Sequence, residues 1–256
     1  MDDLQGLLKG LKIAYFSMEV GLRNDIPTYA GGLGTLAGDA IRSSADLKLP
    51  MVAVTLISKM NYFRQRLSEN GRQVELSNEW RPEQHMTLLP NQVSVQIEGR
   101  TVKVQAWLYK YISLTGGVVP LLFLDTDFEA NVPEDREISY YLYGGNEKYR
   151  LKQEVVLGLG GVRLLDALGF RIRKYHMNEG HSSFLSLELL RKNGMDVDKV
   201  RELCVFTTHT PIEAGHDKFN YDLVASVLET TDLETLKQFG GKDRLNMTML
   251  ALNLSN

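Results

Sequence analysis

The apolar positions of this chain fall into short runs whose period changes several times. Lys12 to Met18 is a compact β-rich run, and the polar, proline-containing stretch through Asn24, Asp25 and Pro27 reads as a loop. Gly31, Gly32 and Gly34 then open a segment in which Leu36, Ala40, Ser43, Ser44 and Leu47 keep helical spacing, and Met51 to Ile57 is the next apolar run. Strand, glycine loop, helix and strand in that order make the opening of a βαβ unit. Further on, Val93, Val95 and Ile97 alternate with polar residues, as do Val102, Val104, Ala106 and Leu108. Glu98-Gly99-Arg100 between the two runs predicts an antiparallel hairpin. Val119 to Leu124 is a continuous apolar strand that ends at Asp125-Thr126-Asp127.

From Glu147 to Leu168 the pattern is helical, with Gly169 as a stop signal and the Gly160-Gly161 pair arguing against a straight helix. Arg173 to Met177 and Leu203 to Thr207 read as strands, Ser182 to Leu190 and Tyr221 to Leu228 as helices. Alternating β and α elements predict a doubly wound α/β domain with a mostly parallel sheet and the hairpin as an insertion. Met247, Leu250, Ala251 and Leu254 form an apolar stripe close to the last residue. A helix needs a surface to bury such a stripe, so the expectation is a chain cut inside a larger architecture.

Composition narrows the class. With 256 residues, 43% of them hydrophobic and 24% charged, the chain can bury a sizeable core without covalent staples. The net charge of −3 gives no general pull toward nucleic acid or an anionic membrane. No secretory signal or run of about 18 apolar residues is visible, so a cytoplasmic setting is expected. The single Cys204 lies in an apolar strand and reads as an inert core thiol.

Four segments at strand ends carry candidate chemistry, since ligands of open α/β sheets bind beyond the carboxyl ends of the strands. Tyr29 to Thr35 contains Gly31, Gly32, Leu33 and Gly34. Glycines let a backbone approach a ligand, and the following helix start suits a phosphate or a sugar oxygen. A tight turn packing strand on helix is the plainer alternative, and the spacing is not the GxGxxG dinucleotide fingerprint. His176-Met177-Asn178-Glu179-Gly180-His181 lacks zinc-type His-Glu-x-x-His spacing, so Asn178, Glu179 and His181 suit hydrogen bonds to sugar hydroxyls, or an ordinary helix cap. The segment from Thr207 to His216 sets Thr207, Thr208 and Thr210 hydroxyls around His209, with Pro211 fixing the turn, and lacks the GxSxG elbow of a serine hydrolase. Tyr143, Gly144, Gly145 and Asn146 close a tyrosine-rich stretch whose rings could stack on sugars and whose glycines allow movement.

Ala14 to Glu19, Gly31 to Asp39, Tyr149 to Glu154, Asn178 to His181 and Thr207 to Thr210 together resemble the α-glucan phosphorylases, in family order and across nearly the whole chain. Tyr62-Phe63-Arg64-Gln65 resembles the shorter prokaryotic branch, whereas Glu179-Gly180 departs from the Asp-Thr of larger members. The resemblance implies two facing Rossmann-like domains of the GT-B type, with residues 1–256 as the N-terminal one. It implies phosphorolysis of terminal α-1,4-glucosyl units to glucose 1-phosphate. Pyridoxal phosphate would sit on a lysine of a missing C-terminal domain, and a homodimer is possible. By matching position, Gly31, Gly32 and Leu33 would offer amides to phosphate and the glucosyl unit, and His209 would contact that unit near its 6-hydroxyl. Asn178, Glu179 and His181 would line the acceptor-glucan side, and Tyr143 to Asn146 would match a gate loop. Such a chain alone is expected to be inactive. The rival expectations are a nucleotide-sugar glycogen or starch synthase and a non-catalytic glucan-binding module.

Overall fold

The computed structural model describes residues 2–61, 64–76, 80–228 and 233–256. Tyr62 and Phe63 of the segment noted above lie outside these. A short helix, α1 (Asp2–Leu7), precedes β1 (Leu11–Phe16), α2 (Gly32–Asp46) and β2 (Met51–Leu56). An antiparallel pair follows, β3 (Arg64–Leu67) with β4 (Gln73–Leu76). Then come β5 (Thr87–Leu88), β6 (Val93–Ile97), β7 (Arg100–Ile112), β8 (Val118–Asp125) and the short α3 (Pro133–Arg136). Helix α4 (Glu147–Val155) passes through a π turn (Val156–Gly160) into α5 (Gly161–Leu168). β9 (Arg171–Asn178), α6 (Phe184–Lys192), α7 (Val197–Leu203) and β10 (Cys204–Thr207) follow, then β11 (Lys218–Asn220), α8 (Tyr221–Val227), α9 (Leu233–Gly240), β12 (Arg244–Asn246) and α10 (Met247–Asn253).

The architecture is α/β around a mixed, mostly parallel sheet in the order β10-β9-β1-β2-β8-β7-β5. The five strands from β10 to β8 are parallel, and β7 joins them antiparallel to β8. The expected hairpin is present: β6 pairs with β7 around Glu98 and Gly99, whose φ values of 52° and 70° suit the tight two-residue turn. Its second strand runs on into the central sheet, which the hairpin thereby extends.

Alternation along the strands builds two cores. Ala14, Phe16, Val52, Val54, Leu56, Leu122 and Leu124 face one side and pack with α4, α5 and α6. Tyr15, Met51, Ala53, Leu121 and Phe123 face the other and pack with Ala37, Ile41 and Ala45 of α2. A period of two along each strand thus places a helical layer on either face of the sheet.

Two expectations about the helices resolve differently. The region before Gly169 is bent into the π turn between Val155 and Gly161, and Gly169 closes α5 at a φ of 86°. Gly158 and Gly161 are where α6 and the sheet come closest: an added Cβ would lie 2.7 Å from the Leu185 nitrogen and 2.5 Å from the Phe16 ring. The stripe of α10, by contrast, needs no absent partner. Met247, Leu250, Ala251 and Leu254 are all fully buried, and α10 packs within this same chain chiefly on α9 and on the turn at Gly180–Ser182. That stripe is therefore no sign of a missing surface. Among the described residues no helix is long and apolar enough to cross a membrane.

Candidate functional site

The strand order reverses beside β1: the chain first steps to β2 on one side and later returns through β9 on the other. The loops after β1, β9 and β10 leave the same end of the parallel sheet, and a crevice at such a reversal is where ligands of open α/β sheets bind. Three of the four candidate segments follow these strands.

The glycines of the first segment divide by role. At Gly34 an added Cβ would lie 2.4 Å from Tyr29 Cβ and 2.7 Å from Glu19 Oε2, and at Gly38 it would lie 2.0 Å from the Gly21 carbonyl oxygen. Both are packing glycines that seat α2 against the loop after β1. At Gly31 and Gly32 an added Cβ would meet nothing, both are exposed, and neither has a positive φ. The space around both positions is open, and Gly31 serves as the N-cap of α2. No side chain caps the start of α2, so its first amides lack partners within the helix.

One carboxylate organises this turn. Glu19, 3% exposed, accepts from Ala30 N–H at 2.7 Å and Gly31 N–H at 3.2 Å through Oε2, and from the Tyr143 hydroxyl at 3.0 Å through Oε1. Gly31 N–H is therefore taken, and of the three amides expected at the turn those of Gly32 and Leu33 remain. A negative group at the positive end of α2 also stabilises that helix.

Hydrogen bonds join the glycine turn to the other strand ends. Ser17 Oγ donates to the Glu19 carbonyl at 2.7 Å, and Asn178 Nδ2 donates to Ser17 Oγ at 3.1 Å. Asn178 Oδ1 lies 3.1 Å from His209 Nε2, which fixes the proton on that nitrogen. Glu179, with φ at 64°, turns its buried carboxylate onto the loop after β10, accepting from His209 N–H at 2.5 Å, Thr208 Oγ1 at 3.0 Å and Thr210 Oγ1 at 3.4 Å. Glu179 and Asn178 thus hold the wall from behind, whereas the His209 side chain is exposed at its surface. His176 bonds Thr207 Oγ1 at 2.7 Å, and burial, with His209 nearby, lowers its pKa. Among the described residues no group of three or more His, Cys, Asp or Glu is arranged to hold a metal ion.

The fourth segment reaches the same network from the side. Tyr143, at φ 53°, packs its ring 4.9 Å from the Arg150 guanidinium and 5.5 Å from the His181 ring. Tyr143, Gly144, Gly145 and Asn146 line a cavity of about 380 Å³ together with Arg150, His216 and Asp217. Asn146 also caps α4, its Oδ1 accepting from Tyr149 N–H at 3.0 Å. His181 is buried below this cavity and reaches Asp217 Oδ2 at 3.2 Å. Strained backbone at both Tyr143 and Glu179 costs about 1–3 kcal/mol each and concentrates where side chains must be aimed.

No family model matches the chain. Curated relatives do. Over 95% of the chain it is 37% identical to the maltodextrin phosphorylase of Thermococcus litoralis, of which it spans 31%. Over 83% of the chain it is 40% identical to the glycogen phosphorylase of Mycobacterium tuberculosis, of which it spans 26%. The chain is a homologue of the maltodextrin and glycogen phosphorylases. The glycogen phosphorylase of Aquifex aeolicus extends the likeness at 34% identity over 83% of the chain and 32% of that protein. This phosphorylase homologue thus spans about a third or less of these three relatives.

Two members of this network carry roles that sequence reasoning did not assign. Glu19 was visible only as the end of a motif, and Asp217 was not singled out. The available signal was Glu154, an acid placed between apolar positions of a helix, which required a polar partner somewhere in the fold.

Proposed function

We propose that this chain forms one wall of the active-site cleft of an α-glucan phosphorylase, as a Rossmann-like domain of the two-domain GT-B type. In the whole protein a terminal α-1,4-glucosyl unit of glycogen, starch or maltodextrin passes to inorganic phosphate, giving glucose 1-phosphate with retained configuration. The observation that carries this is the exposed Gly31-Gly32 pair, with open space around it, bonded through Glu19, Ser17 and Asn178 to the exposed His209. Gly32 and Leu33 amides meet the phosphate or glucosyl oxygens, and His209 meets the glucosyl 6-hydroxyl. Tyr143 to Asn146 border the acceptor glucan, and Asn178, Glu179 and His181 position the groups that touch it.

Pyridoxal phosphate, which the resemblance implies, does not fit this chain alone. The lysines at this end of the sheet are ion-paired: Lys59 with Asp125 and Asp127 at 3.0 Å each, and Lys218 with Glu213. No step is routed through that group, and its lysine is assigned to a second domain facing this wall. Glycosyl transfer through an oxocarbenium-like state needs a facing anion held in place, so a single wall is expected to bind sugar without turnover.

The test assays glucose 1-phosphate release from maltodextrin and phosphate by this chain, with maltooligosaccharide binding followed by NMR. Expected are no release, weak binding that shifts the Gly32 and Leu33 amides, and loss of binding in His209→Ala. Turnover by the chain alone, or binding that leaves those amides unmoved, overturns the proposal.

A further inference from the structure

Beneath the cavity wall lie two acids that no sugar contact uses. Glu154 is completely buried, and neither carboxyl oxygen has a hydrogen-bond donor within reach. Its polar neighbour is Asp217, itself a hub: Arg150 Nη1 lies 3.1 Å from Asp217 Oδ1 and His181 Nε2 lies 3.2 Å from Asp217 Oδ2. Two carboxylates side by side in a dry pocket repel, and both charges lack solvation. The charged groups facing Glu154 are Arg150 on its own helix and Asp217 from the segment before β11, with His181 and Tyr143 beyond them.

The proton count of the pair follows from its charges and its unpaired oxygens. Arg150 is a fixed cation, and one anion on Asp217 balances it. Both Glu154 oxygens and Asp217 Oδ2 are buried without a hydrogen-bond partner. A proton kept on Glu154 and donated to Asp217 gives an oxygen of each acid a partner.

We propose that Glu154 is a positioning residue held as the carboxylic acid, whose O–H fixes Asp217 so that Asp217 fixes Arg150 and His181. Those two groups pack against the Tyr143 ring, and Tyr143 reaches Glu19 and the glycine turn. One proton thus ties the cavity wall, made by Tyr143 and Asp217, to the turn beside His209. This inference rests on the proposed sugar cleft for its purpose, though not for its chemistry. Burial, with Asp217 alongside, raises the Glu154 pKa well above its ordinary 4.5. Asp217 is held below 3.8 in spite of its burial by His181 and Arg150.

The sign of the pH effect follows. A folded state that keeps a proton the unfolded chain releases at 4.5 is stabilised fully below that pH and loses the contribution as pH rises through the folded value. Asp217 acts in the opposite direction, and only below 3.8.

The experiment compares the wild-type chain with Glu154→Gln and Glu154→Leu. The amide of glutamine can still donate to Asp217, and leucine cannot. In carbon-13-edited infrared spectra at neutral pH, the wild type should show a protonated-carboxyl band that Glu154→Gln lacks. Urea unfolding across pH should show Glu154→Gln gaining relative to wild type as pH rises above 4.5. Maltoheptaose affinity should hold within about twofold in Glu154→Gln and fall about tenfold in Glu154→Leu. Absence of the band, or a Glu154→Gln stability profile parallel to wild type, overturns the inference even if Glu154→Leu fails to fold. Wild-type protein that binds no sugar removes the proposed cleft instead, while the band and the pH profile still decide the state of Glu154.

Discussion

The hydroxyl of Tyr143 donates a 3.0 Å hydrogen bond to Glu19, across 124 positions of sequence. The same carboxylate accepts the amides of Ala30 and Gly31, so one buried acid joins the expected gate segment to the expected ligand turn. Replacing Tyr143 by Phe keeps the ring over Arg150 and removes only this bond. A hydrogen bond to a charged group is worth about 1.5–3 kcal/mol. Urea unfolding of Tyr143→Phe should show a loss of that size, with the Ala30 and Gly31 amide resonances displaced. Unmoved resonances would mean that the two segments are independent.

The three glycines of the first segment and Gly38 of α2 should separate in one mutational series. Gly34→Ala forces a Cβ to 2.4 Å from Tyr29 Cβ, and Gly38→Ala forces one to 2.0 Å from the Gly21 carbonyl oxygen. Overpacking of this kind costs about 1–3 kcal/mol or more, and backbone cannot yield as a side chain can. Gly32→Ala meets open space at the start of α2, and alanine is better than glycine inside a helix by up to about 1 kcal/mol. Thermal melts should therefore fall for positions 34 and 38 and hold or rise for 32. Sugar titration should reverse the ranking, with Gly32→Ala stable and poor at binding.

The legible part of this fold was the part written in periodicity. Continuous apolar runs marked β1, β2 and β8, alternation marked β6 and β7, and the positive-φ turn at Glu98-Gly99 could be seen as a hairpin because its flanking runs share one period. β11 and β12 have three residues each, too few to show a period, and α7 lies in a polar stretch with only Val200 fully buried. The apolar stripe of α10 misled for a related reason. Its spacing shows that a face must be covered, and only the tertiary structure shows that α9 and the turn at Gly180–Ser182 cover it. Of the site, exposed residues such as His209 were readable from their type and place after a strand. Glu19 and Asp217 were not, because their importance lies in partners that are distant in sequence.

Cys204 tests the inner layer of the sheet. Its thiol is buried in β10, and burial pushes its pKa up to about 12. The thiolate is the reactive species, so the folded chain should resist thiol reagents at pH 8 and react only as it unfolds. Labelling followed by mass spectrometry across a urea series should track the global transition. Rapid labelling in the absence of urea would show that β10 opens locally.

Glu98 gives a pH dependence opposite in sign to that of Glu154. It sits in the hairpin turn and binds Arg100 and Lys152 at 2.8 and 2.6 Å, with Lys148 also in contact. Burial works to raise its pKa, but hydrogen bonds from Lys148, Lys152 and Arg100 outweigh it and hold the carboxyl at about 2. A depressed folded value means stability that is present above the unfolded pKa and lost as pH falls through the folded one. For Glu98 that window runs from the ordinary 4.5 down to about 2. Glu98→Gln removes the charge while keeping the shape, and should flatten the acid limb of the stability curve in that window. The turn itself should persist, because its backbone is fixed by Gly99 at φ 70° and by the Glu98 N–H bond to the Val227 carbonyl. An acid limb unchanged in Glu98→Gln would place the acid sensitivity elsewhere, most directly at Asp127, whose carboxyl Lys59 and Arg136 hold down against the effect of burial.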